Sequence, residues 1–239
     1  MPRDIHTQLR ILRIHAVVSS LVALVLLVSA FHSTQRAKFE TLDVERINIV
    51  EKDGRIRLVI ANLARTPGPI ERGQPFGYPG GMRAGMIFYN EEGTENGGLI
   101  FGGKRDSTGR YSASGSLTFD QYDQDQTVAL QYVDENGRRR SGLAINDYAP
   151  GLSSLALDRR WKAARAIKDS ATRAESLRVL RPFFPKERLY VGRTRDAAAV
   201  LSLADPSGRT RLRLRVDSLG TASIEFVNDS GRVTRRLPE

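Results

Sequence analysis

From Ile14 to Phe31 the chain runs 18 residues without a formal charge. From Phe39 onward it changes to short alternations of apolar and polar residues, broken at regular intervals by glycine. The first pattern predicts a helix of membrane length. At about 1.5 Å per residue, 18 residues span roughly 27 Å, close to the hydrocarbon thickness of a bilayer. Only Ser19, Ser20 and Ser29 interrupt it, and they form no polar face of the kind a core helix turns to water.

The second pattern predicts strands. Arg46 to Val50, Arg57 to Ile60, Ala129 to Val133 and Leu143 to Ile145 each read as β. Thr210 to Val216 alternates fully, with Leu212, Leu214 and Val216 on one face and Arg211, Arg213 and Arg215 on the other. Between strands recurs a turn phrase, an acidic or amide residue followed three positions later by glycine. It occupies Glu51–Gly54, Asn90–Gly93, Asp106–Gly109, Asp134–Gly137, Asp205–Gly208, Asp217–Gly220 and Asn228–Gly231. Asp or Asn accepts backbone N–H bonds within such a turn, and glycine takes the positive φ that closes it. Short strands and regular turns imply a mainly β fold, an antiparallel meander of hairpins closed as a sandwich, barrel or repeat-like sheet.

Two segments interrupt the rhythm. Residues 64–83 hold four prolines and five glycines, and predict a loop without regular structure. Residues 152–181 are rich in Ala, Leu and Arg, end at Pro182 and Pro185, and predict a helical insertion. The expected organisation is a tail (1–13), a transmembrane helix (14–31), a β domain (39–150), the helical segment, and C-terminal hairpins (186–239).

Charge sets the expected topology. Arg3, Arg10 and Arg13 precede the apolar stretch, and Arg36 and Lys38 follow it. A short basic tail stays in the cytoplasm, so the expectation is a single-pass inner-membrane protein with its C-terminal domain exported. A signal peptide cut after Ala30 is the competing reading and shares this orientation. The net charge of +10 is concentrated beyond residue 150, where 19 basic side chains face 10 acidic ones. Nucleic acid suits that charge but not an exported domain, and no nucleic-acid partner is expected.

Composition narrows the chemistry. There is no cysteine, and the only histidines are His6, His15 and His32. Disulfides, thiolate metal sites, Ser-His-Asp and Cys-His nucleophiles and the usual zinc sites are therefore excluded after Ser33. Neither a cofactor nor a resident metal is expected, and the balance falls against an enzyme.

Several candidates remain beside their plainer readings. Phe76, Tyr78 and Met82 sit in the Pro/Gly loop, as a partner-binding surface or as part of a surface insertion. Arg211, Arg213 and Arg215 would form a basic strip for an anionic envelope polymer or an acidic envelope protein, or simply a solvated strand face. Asp120, Asp123 and Asp125 lack the glycine and distant Glu of a calcium loop and read as a solvated turn. Glu91, Glu92 and Glu95 offer paired carboxylates of the glycosidase kind, though acids are ordinary in turns. Gly97, Gly98, Gly102 and Gly103 read as bulges or close strand contacts rather than a phosphate loop. Trp161, among Arg159, Arg160, Lys162 and Arg165, could lie on a membrane or pack on the sheet.

The chain resembles a family of uncharacterised bacterial proteins that join an N-terminal apolar segment to β-hairpin repeats. The resemblance rests on the phrases Arg46 to Arg55, Gly97 to Gly102 and Leu117 to Tyr122. It covers most of residues 10–150 and implies no activity and no functional residues. The resulting expectation is an envelope binding or scaffolding module, with an envelope carbohydrate hydrolase as the alternative.

Overall fold

The structure, a computed structural model, describes residues 4–31 and 37–238. It comprises two compact units, Met1–Asp43 and Val44–Glu239. Arg3, His32 and Arg36, used above for topology and composition, lie outside the described residues.

The first unit is one helix, α1 (Ile5–Phe31). It begins nine residues before the uncharged stretch, so most of the expected tail is helical. The physical reason is local. Leu9, Arg10, Leu12 and Arg13 are good helix formers, and the Asp4 carboxylate accepts from His6 N at 3.3 Å at the helix start. Ile5–Leu27 is long and apolar enough to cross a membrane. A membrane span and a signal sequence both satisfy that length and composition.

The second unit is built on a 12-stranded antiparallel sheet. Its strands are β1 (Arg46–Val50), β2 (Ile56–Ala61), β5 (Ala84–Tyr89), β6 (Glu95–Arg105), β7 (Tyr111–Asp120), β8 (Gln126–Glu135), β9 (Arg138–Asp147), β10 (Lys186–Arg193), β11 (Ala199–Ala204), β12 (Thr210–Val216), β13 (Ala222–Val227) and β14 (Val233–Leu237). Every strand pairs with its neighbours in chain order, and β1 and β14 are the two edges. Of the three closures the sequence allows, the sheet takes the repeat-like one and stays open.

The turns behave as their chemistry requires. Asp106, Asp205, Asp217, Asn90 and Asn228 each accept two backbone N–H bonds through Oδ1, at 2.9–3.1 Å, while the glycine at the fourth position adopts positive φ. The Asp134–Gly137 phrase differs. Asn136 and Gly137 both take positive φ, and Glu135 pairs directly with Arg138, forming the two-residue hairpin that Asn-Gly favours. One turn of the series is hidden in the sequence. At Thr194–Ala197 an alanine with φ 66° stands where the others use glycine.

The helical segment is two helices, α2 (Ser154–Ala166) and α3 (Ser170–Leu180), capped by Ser153 and Asp169. The expected single insertion breaks at Ile167–Asp169 because the Asp169 carboxylate accepts from Thr172 N and restarts the chain. The pair shares a small core of Leu152, Ala164 and Leu180, with Trp161 edge-on to Phe184 at 4.9 Å. Although the helices lie between β9 and β10 in sequence, those two strands pair directly, so the sheet runs on unbroken.

The Pro/Gly segment is more ordered than a structureless loop. It contains a short hairpin, β3 (Ile70–Glu71) with β4 (Gln74–Pro75), and Ile70 packs on the core of Val59, Ala61, Ile87 and Tyr89. Glu71 clasps it to α2, accepting from Ser153 Oγ at 2.8 Å and from Leu155 N at 2.9 Å. A carboxylate at a helix N-terminus satisfies orphan N–H groups and complements the dipole, which explains why Glu71 is buried.

Candidate functional site

Three regions of the second unit bear on function. The first is a cavity of about 130 Å³ between the Pro/Gly segment, the β7–β8 turn and the start of α2. Phe76 and Tyr78 line it beside Arg83, Glu95, Asp120 and Asp125. Strand geometry brings these together, since Glu95 opens β6 and Asp120 closes β7. Arg83 donates to Glu95 at 2.8 Å and stacks its guanidinium 5.5 Å from the Tyr78 ring centre. Asp120 Oδ1, Glu95 Oε2 and Tyr89 Oη are buried without a hydrogen-bond partner among the described residues.

The electrostatics follow from that crowding. Burial, with Asp125 and Glu95 nearby, pushes the Asp120 carboxyl up to about 8, against the pull of Arg83. Burial also raises Glu95 in spite of its ion pair, and raises the phenols of Tyr78, Tyr89 and Tyr148. Desolvation penalises the charged form, and the like charges add to it. Asp120 is therefore largely a neutral acid at pH 7, beside an ion-paired Glu95.

The sequence candidates divide around this cavity. Phe76 and Tyr78 line it, while Met82 is exposed and is not among the lining residues. Asp123 departs from Asp120 and Asp125 and pairs with Arg72 at 2.6 Å. Glu91 and Glu92 remain on the turn, paired with Arg57 and Arg72 at 2.9 and 3.2 Å. Among the described residues no group of three His, Cys, Asp or Glu is placed to hold a metal ion. The pairing of Glu95 with Asp120 was not visible in sequence, because 25 positions separate them. Only the position of each beside a turn, at a strand end, hinted at it.

The second region is the arginine strand. Arg211 pairs with Asp205 at 3.0 Å and with Asp229, Arg213 with Glu225 at 3.1 Å, and Arg215 with Asp196 at 2.7 Å. Glu225 is buried and also holds Arg236 at 2.7 Å. An anionic ligand at this strip would have to displace a carboxylate from each guanidinium.

The third region is one whole face of the sheet. Antiparallel register places Ile47, Ile60, Met86, Leu99, Leu117, Leu130, Leu143, Val191, Leu201, Leu214, Ile224 and Leu237 in a single row across all 12 strands. A second row on the same face carries Ile49, Leu58, Phe88, Phe119, Val128, Ile145, Leu189, Leu203, Leu212 and Phe226. A third includes Phe101, Tyr132 and Val216. None of these side chains is buried: Phe101 is 61% exposed, Leu130 55%, Phe119 48% and Leu214 39%, and others, such as Met86, Leu117, Leu143 and Leu201, are half-buried. The opposite face carries the buried residues Val59, Ile87, Ala129, Ala144, Tyr190 and Val200.

A glycine pair shapes that covered face. Gly142 and Gly192 lie opposite one another on β9 and β10, and the Tyr190 side chain lies over them. A Cβ on Gly142 would come within 2.3 Å of the Val191 carbonyl oxygen. Tyr190 Oη lies 2.9 Å from the Arg193 carbonyl oxygen, and Arg140 stacks 4.0 Å from the ring centre.

No protein-family model, no curated protein and no solved structure matches the chain. The functional reading therefore rests on the fold, a mostly β protein with an apolar N-terminal helix, and on these three regions.

Proposed function

We propose that this protein is a membrane-anchored, exported β-rich binding or scaffolding module of the bacterial cell envelope, with its N-terminus cytoplasmic. The uncovered apolar face carries this reading. Strands about 4.8 Å apart and rows about 7 Å apart make a band roughly 53 Å long and 14–20 Å wide, on the order of 1,000 Å². Monomeric soluble proteins leave patches of only about 300–600 Å². A face of this size implies a macromolecular partner.

A photo-crosslinking amino acid at Leu99 of the full chain, in intact membranes, tests the reading. Covalent adducts to protein are expected, and a face that yields no protein adduct refutes a binding role. A reporter after Glu239 should be active only on the exported side. Activity on the cytoplasmic side would invert the topology.

The carbohydrate hydrolase is a second reading, favoured by the neutral Asp120 beside the ion-paired Glu95, a pairing that resembles a general acid next to a carboxylate. Against it stands the cavity volume of about 130 Å³, well below the roughly 300–1,000 Å³ of ordinary ligand sites. Loss of envelope-carbohydrate cleavage in Asp120→Asn, with the fold intact, would support it.

A further inference from the structure

We propose that the apolar face is covered by the same face of a second copy of this chain, in a two-fold dimer whose axis runs parallel to the strands over β8 and β9. This deepens the binding-module reading and rests on it. The area is the first support. A standard stable interface buries about 800 Å² on each partner, and the band supplies on the order of 1,000 Å². Two antiparallel sheets pack face to face about 10 Å apart with interdigitated side chains, which is the burial this face lacks.

The second support is the relief of the band. Its aromatic side chains are concentrated in the first half of the sheet, as Phe88 on β5, Phe101 on β6, Phe119 on β7 and Tyr132 on β8, with Phe226 on β13 the exception. The second half instead holds a depression of about 680 Å³ lined by Val191, Leu201, Leu214, Val216, Ile224 and Leu237. With strands in the order β1-β2-β5-β6-β7-β8-β9-β10-β11-β12-β13-β14, an axis parallel to the strands at the midpoint sets β5, β6 and β7 over β12, β11 and β10 of the second copy. Such an axis keeps position along the strand, so Phe101 of each copy lies over Ala199 in the depression of the other, while Phe88 and Phe119 lie over Leu212 and Leu189. A two-fold axis perpendicular to the strands would lay the aromatic half of each copy on the aromatic half of the other and leave both depressions unfilled. Isologous pairing requires this kind of self-complementarity.

Competing growth along the sheet is restrained at β14. Arg235 and Arg236 lie in that edge strand and Pro238 follows it, and charge and proline both blunt strand addition. A membrane anchor that orients every copy alike would further raise the effective concentration of one face for another.

The chain has no cysteine, so single-cysteine variants of the full chain in membranes report proximity without a background. Leu130→Cys and Leu143→Cys, on the two strands beside the axis, should cross-link to themselves with a bis-maleimide of about 10 Å reach, the sheet spacing. Gln131→Cys on the opposite face and Ile47→Cys at the far edge should not. Adding Leu214→Arg to Leu130→Cys should lower the cross-linked fraction at least tenfold. Light scattering of the wild-type chain in detergent should give a dimer mass.

The proposal is overturned by a monomeric mass with no cross-link at Leu130. Equal cross-linking at Gln131, cross-linking at Ile47 but not at Leu130, or a monomer whose face retains co-purified lipid also overturns it. Photo-adducts from Leu99 to a different protein, with no self-cross-link, leave the binding module standing and remove self-docking alone.

Discussion

Replacing Asp120 with Asn should stabilise the protein at neutral pH and leave its stability in acid unchanged. Asp120 lies at the end of β7 with Oδ1 unpartnered, facing Glu95, Asp125 and Arg83, with Tyr148 close enough to feel its charge. Its carboxyl rises from the ordinary 3.8 to about 8 on folding. Between those values the folded state holds a proton that the unfolded chain releases, so stability falls as pH rises through this window and is flat above it. At pH 7 the gap of about three units, at 1.36 kcal/mol each, sets a ceiling of about 4 kcal/mol. Partial solvent access brings the expectation to about 2 kcal/mol, or roughly 4–8 °C in Tm for a domain of this size. Asn keeps the shape, carries no charge at any pH and removes this slope. Trp161, the sole tryptophan, reports thermal unfolding of the full chain in detergent by fluorescence. The expected result is a variant that melts several degrees higher at pH 7.5 and level with wild type at pH 4. A Tm difference independent of pH, or a variant less stable at pH 7.5, would refute the reasoning.

Glu225→Gln should cost about 2 kcal/mol, since it leaves Arg213 and Arg236 without the buried carboxylate they share; both guanidinium groups reach solvent, which keeps the cost below that of a fully buried pair. A urea midpoint unchanged from wild type would contradict this. Gly142→Val should destabilise by about 3 kcal/mol, because its Cβ has no room beneath Tyr190, whereas Gly102→Ala meets nothing within 4 Å and should be neutral or better. Equal effects of the two in the same denaturation assay would show that close packing at the glycine pair is not the cause.

The fold was legible where one physical rule acts alone. Asx turn chemistry marked five of the hairpins, and Leu212, Leu214 and Val216 already announced a one-sided strand. What the sequence could not show was register. That twelve aliphatic positions fall into one row depends on each turn length, including the two-residue Asn136-Gly137 turn that looks like its longer siblings. The alanine turn at Thr194–Ala197 escaped because nothing in Ala197 advertises positive φ. The cavity was half legible. Phe76 and Tyr78 stood out as aromatics in a Pro/Gly run, but Glu71, Glu95 and Asp120 were indistinguishable from ordinary turn acids until pairing buried them.

The strand order has a consequence for how this protein comes to exist. Each strand touches only its predecessor and successor, so stability accrues pair by pair, as in repeat proteins. Most links close through turns of a few residues, but β2 meets β5 across residues 62–83, and β9 meets β10 only after residues 148–185 have been passed. Closing a flexible loop of that length rather than a four-residue turn costs about 2 kcal/mol of chain entropy. By this entropy the β9–β10 seam, the longest closure in the sheet, is the link expected to zip last and open first.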